Sequence, residues 1–289
     1  MRKRMGIVMG LLLAANAQAE EAKVQKIHDD PAVRGSIIAG LLQEHDSPFV
    51  LYPYESNYAL YTYTSDINKQ SIQSYKWANH ARKDEVNFQI SLGFPLWRGI
   101  AGDNSLLGAS YTQRSWWQMS NKSESTPFRE TNYEPQLFLG WAVDDTFAGW
   151  TLRDVEFGVN HQSNGRADPT SRSWNRVYAR LMAQHNNWQV EVKPWIRLTD
   201  SDDDNPNIIH YMGHYRLRIG YVWGDSIFSA EGRYNWNSGY GGGDVSWSYP
   251  LTKHVRFYTK VFSGYGESLI DYNYRQTRFG IGIILNDML

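Results

Sequence analysis

The chain has 289 residues, with 29 Lys and Arg against 30 Asp and Glu and a formal net charge of −1, so it offers no basic surface to a nucleic acid. It has no cysteine, which excludes a disulfide framework, a thiolate nucleophile and a lipidated N-terminal cysteine. Mean hydropathy is −0.55, yet Trp, Tyr and Phe supply 15% of the residues; a transmembrane β-barrel with aromatic girdles has this combination, and a soluble β-sandwich or barrel can share it.

Residues 1–19, MRKRMGIVMGLLLAANAQA, have the three parts of a secretory signal peptide: a basic start at Arg2, Lys3 and Arg4, an apolar run from Ile7 to Ala15, and small residues Ala17 and Ala19 before a cleavage site. The apolar run falls well short of the ~20 residues that a membrane-spanning helix needs. Cleavage would leave one domain, residues 20–289, with a more negative net charge. No later stretch is long enough for a transmembrane helix, so a closed barrel is the way left for this chain to cross a membrane. A short helix is expected within residues 30–43, DPAVRGSIIAGLLQ, and the remainder reads as strands and turns.

Strand periodicity is clean in several places. In VNFQISLGF, Val86, Phe88, Ile90, Leu92 and Phe94 share one face and Asn87, Gln89, Ser91 and Gly93 the other. In HYRLRIGY, Tyr215, Leu217, Ile219 and Tyr221 oppose His214, Arg216, Arg218 and Gly220; near the C-terminus Val255, Phe257, Thr259 and Val261 oppose Arg256, Tyr258 and Lys260. The polar faces repeatedly carry charges that a packed soluble core would reject unless paired. Apolar side out and polar lumen in is the better reading, an all-β transmembrane antiparallel barrel. DPTSRS, TDSDDDNPN, NSGYGGGD and GYGES read as turns between strands, and the glycines of GYGGGD do not follow the strand-to-helix pattern of a phosphate loop.

One hairpin interrupts this pattern. On the strand ending at Ser163, the apolar face holds Val155, Phe157 and Val159 and then His161 and Ser163; on the returning strand Asn175 precedes Val177, Ala179 and Leu181. If the two strands pair, three polar side chains meet on the lipid side near one rim, which points to a substrate in the lipid. A serine hydroxyl needs a base, a neutral histidine is the usual one, and an amide oxygen can orient that histidine. Ser163 is the candidate nucleophile, His161 the base and Asn175 the orienter. Asp168 competes for the third place from within the loop, and the Gly-x-Ser-x-Gly elbow is absent. The neutral Asn175 supports an imidazolium less than a carboxylate does. The loop NGRADPTSRS, through backbone carbonyls and a hydroxyl such as that of Ser171, has the oxygens for a hard cation like calcium; it reads equally well as a plain turn. The acidic run from Asp200 to Asn205 has calcium-binding and merely solvated readings. A bland interpretation of the triad, polar groups meeting headgroups at the rim, stays open. Gln113, on an apolar face with Leu107, Ala109 and Tyr111, is costly in lipid unless paired and hints at a partner subunit.

These residues resemble the bacterial outer-membrane phospholipase A family. NHQSNGRADPTSRSWNR is similar to the family's active-site segment almost without gaps, and FRETNYEPQLFLGW, FAGWTLRDVE, EVKPW and FSGYGESLIDYN look like the family elsewhere, so the similarity spans nearly the whole mature chain. The resemblance implies a twelve-stranded outer-membrane barrel that hydrolyses acyl esters of glycerophospholipids and lysophospholipids, with Ser163, His161 and Asn175 as its triad. It further implies calcium near the Arg166 carbonyl and the Ser171 side chain, with Ser125 contributed by a second subunit. Asp204 matches a further ligand, with Asp202 and Asp203 as alternatives because the acidic loop is one residue longer here. Activation by homodimerisation is implied too, with Gln113 and Leu92 at the interface. The chain departs from the family habit of an aromatic C-terminal residue by ending in Leu289. A porin-like channel without hydrolase activity and a secreted soluble esterase are the alternatives.

Overall fold

The computed structural model describes residues 36–43, 51–199 and 203–287; the expected signal peptide and residues 30–35 of the expected helix lie outside them. Twelve antiparallel strands form the wall. In chain order these are β2 (Asn57–Thr64), β3 (Asp84–Arg98), β4 (Ser105–Trp117), β5 (Phe128–Phe147), β6 (Trp150–Ser163) and β7 (Ser173–His185). They continue as β8 (Trp188–Leu198), β9 (Tyr215–Trp223), β10 (Ser226–Asn235), β11 (Tyr240–Pro250), β12 (Arg256–Gly264) and β13 (Gln276–Asn286). Each pairs with its chain neighbours, and β13 pairs back onto β2 through Phe279 opposite Tyr63 and Ile283 opposite Ala59, which closes the barrel. A two-residue β1 (Tyr52–Pro53) adds to β3 beyond the start of β2. The turns 99–104, 148–149, 186–187, 224–225 and 251–255 sit at one end; most of the connections at the other are longer, the longest being 65–83 and 199–214. In barrels of this kind the longer loops face outside the cell.

The alternation read from sequence holds. Phe157, Val159, Val177, Leu181, Phe279, Ile281 and Ile283 are exposed on the outer wall, whereas Asp154, Glu156, Arg180, Glu191 and Arg278 are buried inside. Exposed apolar strips in contact with acyl chains are the stable arrangement in a bilayer, and the closed ladder leaves no unpaired edge.

Many of the inward charges pair with one another. Arg180 lies 2.6 Å from Glu156, 3.4 Å from Glu191 and 3.7 Å from Asp154. Arg216 bridges Glu191 at 2.7 Å and Glu55 at 2.9 Å, and Arg218 joins Glu55 at 3.0 Å to Glu231 at 2.7 Å. Glu55 belongs to the segment leading into β2, so that segment is drawn into the lumen. Helix α1 (Ile37–Leu42) closes the short-turn end: Asp154 accepts the Ile37 N–H at 2.9 Å, and Ile38 and Leu41 pack on Tyr54, Leu106 and Phe138.

Two local expectations are corrected. The run Gly241 to Gly243, expected in a turn, lies in β11; a Cβ at Gly241 would sit 2.3 Å from the Arg233 carbonyl and one at Gly243 2.5 Å from that of Glu231, so glycine is what permits the close strand pairing. Residues after the acidic loop, expected to be turn and strand, form helix α2 (Ile208–Met212). It is too short for a visible helical period. Its Ile208 and Met212, four apart, pack on Trp174, Tyr178 and Trp195 inside the barrel.

Arg180 is the cation on which three buried carboxylates converge, and removing one partner of a buried pair leaves uncompensated charge. We predict that Arg180→Met lowers the unfolding free energy by roughly 3–5 kcal/mol. Denaturant titration in micelles measures this; an unchanged midpoint and slope would contradict it.

Candidate active site

Hairpin β6–β7 sets His161 opposite Asn175 and Ser163 opposite Ser173, continuing the outward row in which Val159 faces Val177 and Phe157 faces Ala179. The His161 Nδ1 and Asn175 Oδ1 are 2.8 Å apart across the strands. Since the amide oxygen can only accept, this contact favours the tautomer protonated at Nδ1 and leaves Nε2 with its lone pair. His161 is exposed, and Ser163 and Asn175 are half-buried. Among the described residues no hydrogen bond joins the Ser163 hydroxyl to His161. Such contacts are often long before substrate binds. Asp168 is exposed in the loop and takes no part in this pairing.

The inner face of the same hairpin is fixed by buried polar contacts. Arg176 donates to Asn160 Oδ1 at 2.7 Å and to Glu134 at 3.0 Å, Asn160 donates to Glu134 at 2.6 Å, and the Trp174 indole N–H donates to Gln162 at 2.7 Å. His161, Ser163 and Asn175 outside are therefore mounted on strands whose alternate residues are locked inside.

The connecting loop, residues 164–172, is organised by Asn164, which the sequence reading passed over as part of an Asn-Gly turn. Its backbone N–H donates to the Arg172 carbonyl at 3.0 Å, its amide oxygen accepts the Arg172 N–H at 3.0 Å, and its amide N–H donates to the Thr170 carbonyl at 2.9 Å. Gly165 follows with φ of 63°, and a Cβ there would lie 3.2 Å from the ring of Tyr133, which β5 places opposite Ser163.

The oxygens proposed for a cation meet in part. Ser171 Oγ donates to Asp204 Oδ2 at 2.5 Å, and Ser173 Oγ lies 3.5 Å from the same oxygen. Asp203 is turned away, holding Arg197 and the Asn205 N–H, so Asp204 is the acidic residue beside Ser171; Asp202 lies outside the described residues. The Arg166 carbonyl accepts no hydrogen bond among the described residues, while burial lowers the pKa of its guanidinium from the usual value. A hydroxyl, a carboxylate and a free carbonyl are the hard oxygen donors calcium takes, fewer than its usual set. Among the described residues no three acidic or imidazole groups converge. Ser125 is exposed in the 118–127 loop of the same end and is not hydrogen-bonded to these groups. Gln113 and Leu92 lie on the outer faces of the adjacent strands β4 and β3, where Ile90 pairs with Gln113 and Leu92 with Tyr111. The Gln113 amide accepts from the Tyr111 hydroxyl at 3.1 Å and donates to Ser115 Oγ at 3.3 Å. Its polarity is thus met along its own strand, and cost in lipid alone does not demand a partner.

The model of the family described as Phospholipase A1 matches residues 38–285. The Phospholipase A1 of Klebsiella pneumoniae is 70% identical over 276 residues, covering 96% of this chain and 95% of that one. Outer membrane phospholipase A from Escherichia coli, in an active-site mutant with an asparagine changed to alanine, superposes with a TM-score of 0.86 at 70% identity, covering 89% of this chain and 99% of that one. The outer membrane phospholipase of Salmonella typhi, solved as a dimer with bound calcium, gives a TM-score of 0.86 at 69% identity with the same coverage.

An alanine at position 165 meets both a left-handed backbone and the Tyr133 ring. Gly165→Ala should cost about 1–2 kcal/mol locally and lower hydrogen-exchange protection in residues 164–172 while the barrel strands keep theirs. Unaltered protection of the loop would refute this account of Gly165.

Proposed function

Because the chain belongs to the phospholipase A1 family and is an enzyme of the bacterial outer membrane, we propose that it cleaves acyl esters at either glycerol position of phospholipids and lysophospholipids through Ser163, His161 and Asn175. The observation that carries this reading is the 2.8 Å contact between His161 and Asn175 on the lipid-facing wall, two residues from Ser163 on the same face. Only a substrate that sits in the bilayer meets that face directly.

The chemistry follows from the residues. His161 Nε2 takes the Ser163 hydroxyl proton as Oγ attacks the ester carbonyl, while Asn175 Oδ1 holds the ring through Nδ1–H. The imidazolium then protonates the departing glycerol oxygen, leaving an acyl-serine. His161 next activates a water, which releases the fatty acid and restores Ser163. Asn175 carries no charge to balance the imidazolium or the oxyanion. The Arg166 carbonyl, Ser171 and Asp204 would hold a calcium ion, which would supply positive charge to stabilise the oxyanion. Ser125 from a second subunit would complete the donor set, in keeping with the Salmonella typhi protein's dimer and its calcium; Gln113 and Leu92 would then lie at the dimer interface. Residues 1–19 are proposed as the signal that exports the chain. The passive channel is disfavoured, because Glu55, Arg216 and Arg218 join across the lumen and α1 fills its short-turn end.

Ser163→Ala should keep the heat-modifiable electrophoretic mobility of a folded barrel and release no fatty acid from phospholipid–detergent micelles; full hydrolysis by the folded variant would overturn the triad. Asn175→Ala should retain partial activity, lowered by about tenfold or more because the ring loses its orienting partner. Chelator should abolish release by the parent protein and calcium restore it, read in the same assay.

A further inference from the structure

Loop 164–172 is pinned at both ends by Asn164 and Arg172. That leaves residues 165–171 as an arch, and Gly165 and Ala167 have no long side chain with which to brace it. Arg166, between them, does. Its Nε donates to Glu130 Oε2 at 3.1 Å, its Nη2 donates to the Arg129 carbonyl at 2.6 Å, and its guanidinium stacks 4.8 Å from the centre of the Tyr75 ring. The three partners come from the start of β5 and from the 65–83 loop, so the side chain ties the arch to the barrel wall.

Glu130 is itself held rigidly. It is wholly buried, and its other oxygen accepts the Asn132 amide at 2.7 Å and the Ile270 N–H at 3.1 Å. Arg129 turns its own guanidinium away to Glu85, at 2.7 Å, and to Asp271, which leaves its carbonyl for Arg166. A buried carboxylate with every contact committed is a costly group to keep, and among the described residues its ion-pair partner is Arg166, whose carbonyl is one of the candidate cation donors.

We propose that Glu130 is a positioning residue: its grip on the Arg166 guanidinium fixes the direction of the Arg166 carbonyl oxygen and thereby the affinity of the site for calcium. The proposal rests on the calcium reading given above. Outer contacts that orient a ligand commonly change metal affinity by about 10–100-fold when lost. A second effect would act in the same sense in one variant only. Glu130→Gln weakens the tether, leaving the Arg129 carbonyl and the Tyr75 ring in place, and also leaves the guanidinium uncompensated near a divalent cation, whereas Arg166→Met removes the tether and the charge together.

The test is calorimetric titration of calcium chloride into the full-length barrel in detergent micelles. It uses the Ser163→Ala background so that binding is read without turnover, and electrophoretic mobility to establish folding. Both Glu130→Gln and Arg166→Met should weaken calcium binding by about tenfold or more. With Ser163 restored, Glu130→Gln should recover near-parental hydrolysis when calcium is raised to saturation. Parental affinity in either folded variant overturns the positioning role, and if it is Arg166→Met that binds normally, charge alone explains Glu130. Activity still lost at saturating calcium overturns it as well. Absence of calcium uptake by the parent is a different result, which overturns the calcium reading itself and the proposal with it.

Discussion

The backbone hydrogen bonds of a chain in a bilayer have no water to fall back on, and this constraint organises the molecule. Strands β2 to β13 meet it by pairing on both sides and closing through β13 and β2. Closure fixes the pleat, and the pleat fixes which residues see lipid. Alternate residues are committed to acyl chains and the rest to a lumen of paired charges with apolar clusters toward its two ends. The ion pairs inside and the reactive groups outside are two consequences of one geometry.

Strands β6 and β7 show how the two sides depend on each other. The strand that presents His161 and Ser163 outward presents Asp154, Glu156 and Asn160 inward, and the one carrying Asn175 carries Arg176 and Arg180. Arg180 joins Glu156 across the pair while Arg176 joins Asn160 and Glu134. The proposed triad lies on an open lipid-facing wall with no enclosing pocket to hold it. The buried contacts one residue away supply the rigidity that such a site would require.

Much of the wall was legible from the sequence because lipid on one side imposes a period of two that survives in any strand long enough to show it. The hairpin was legible for the same reason: His161, Ser163 and Asn175 break the apolar rows at matching ends. What escaped was set by contacts distant in sequence. Glu130 meets Arg166 only because β5 and the 164–172 loop reach the same rim, and Glu55 meets Arg216 only because the segment before β2 enters the lumen. Short elements escaped too. Helix α2 has five residues, too few for a period, and the glycines 241–243 look like a turn until the neighbouring carbonyls that exclude a Cβ are known.

The central claim is that the reactive serine faces lipid. The chain has no cysteine, so a single nitroxide on a Ser163→Cys variant in reconstituted bilayers reports that position without background. The measurement is spin relaxation by dissolved oxygen, which concentrates in lipid, against relaxation by a water-soluble nickel chelate, with a label at Val159→Cys as the lipid-facing reference. The account predicts that position 163 follows position 159 in favouring oxygen, with some chelate access because it sits nearer the rim. Relaxation at 163 by chelate alone, without any oxygen excess, would place the serine in water and contradict the account.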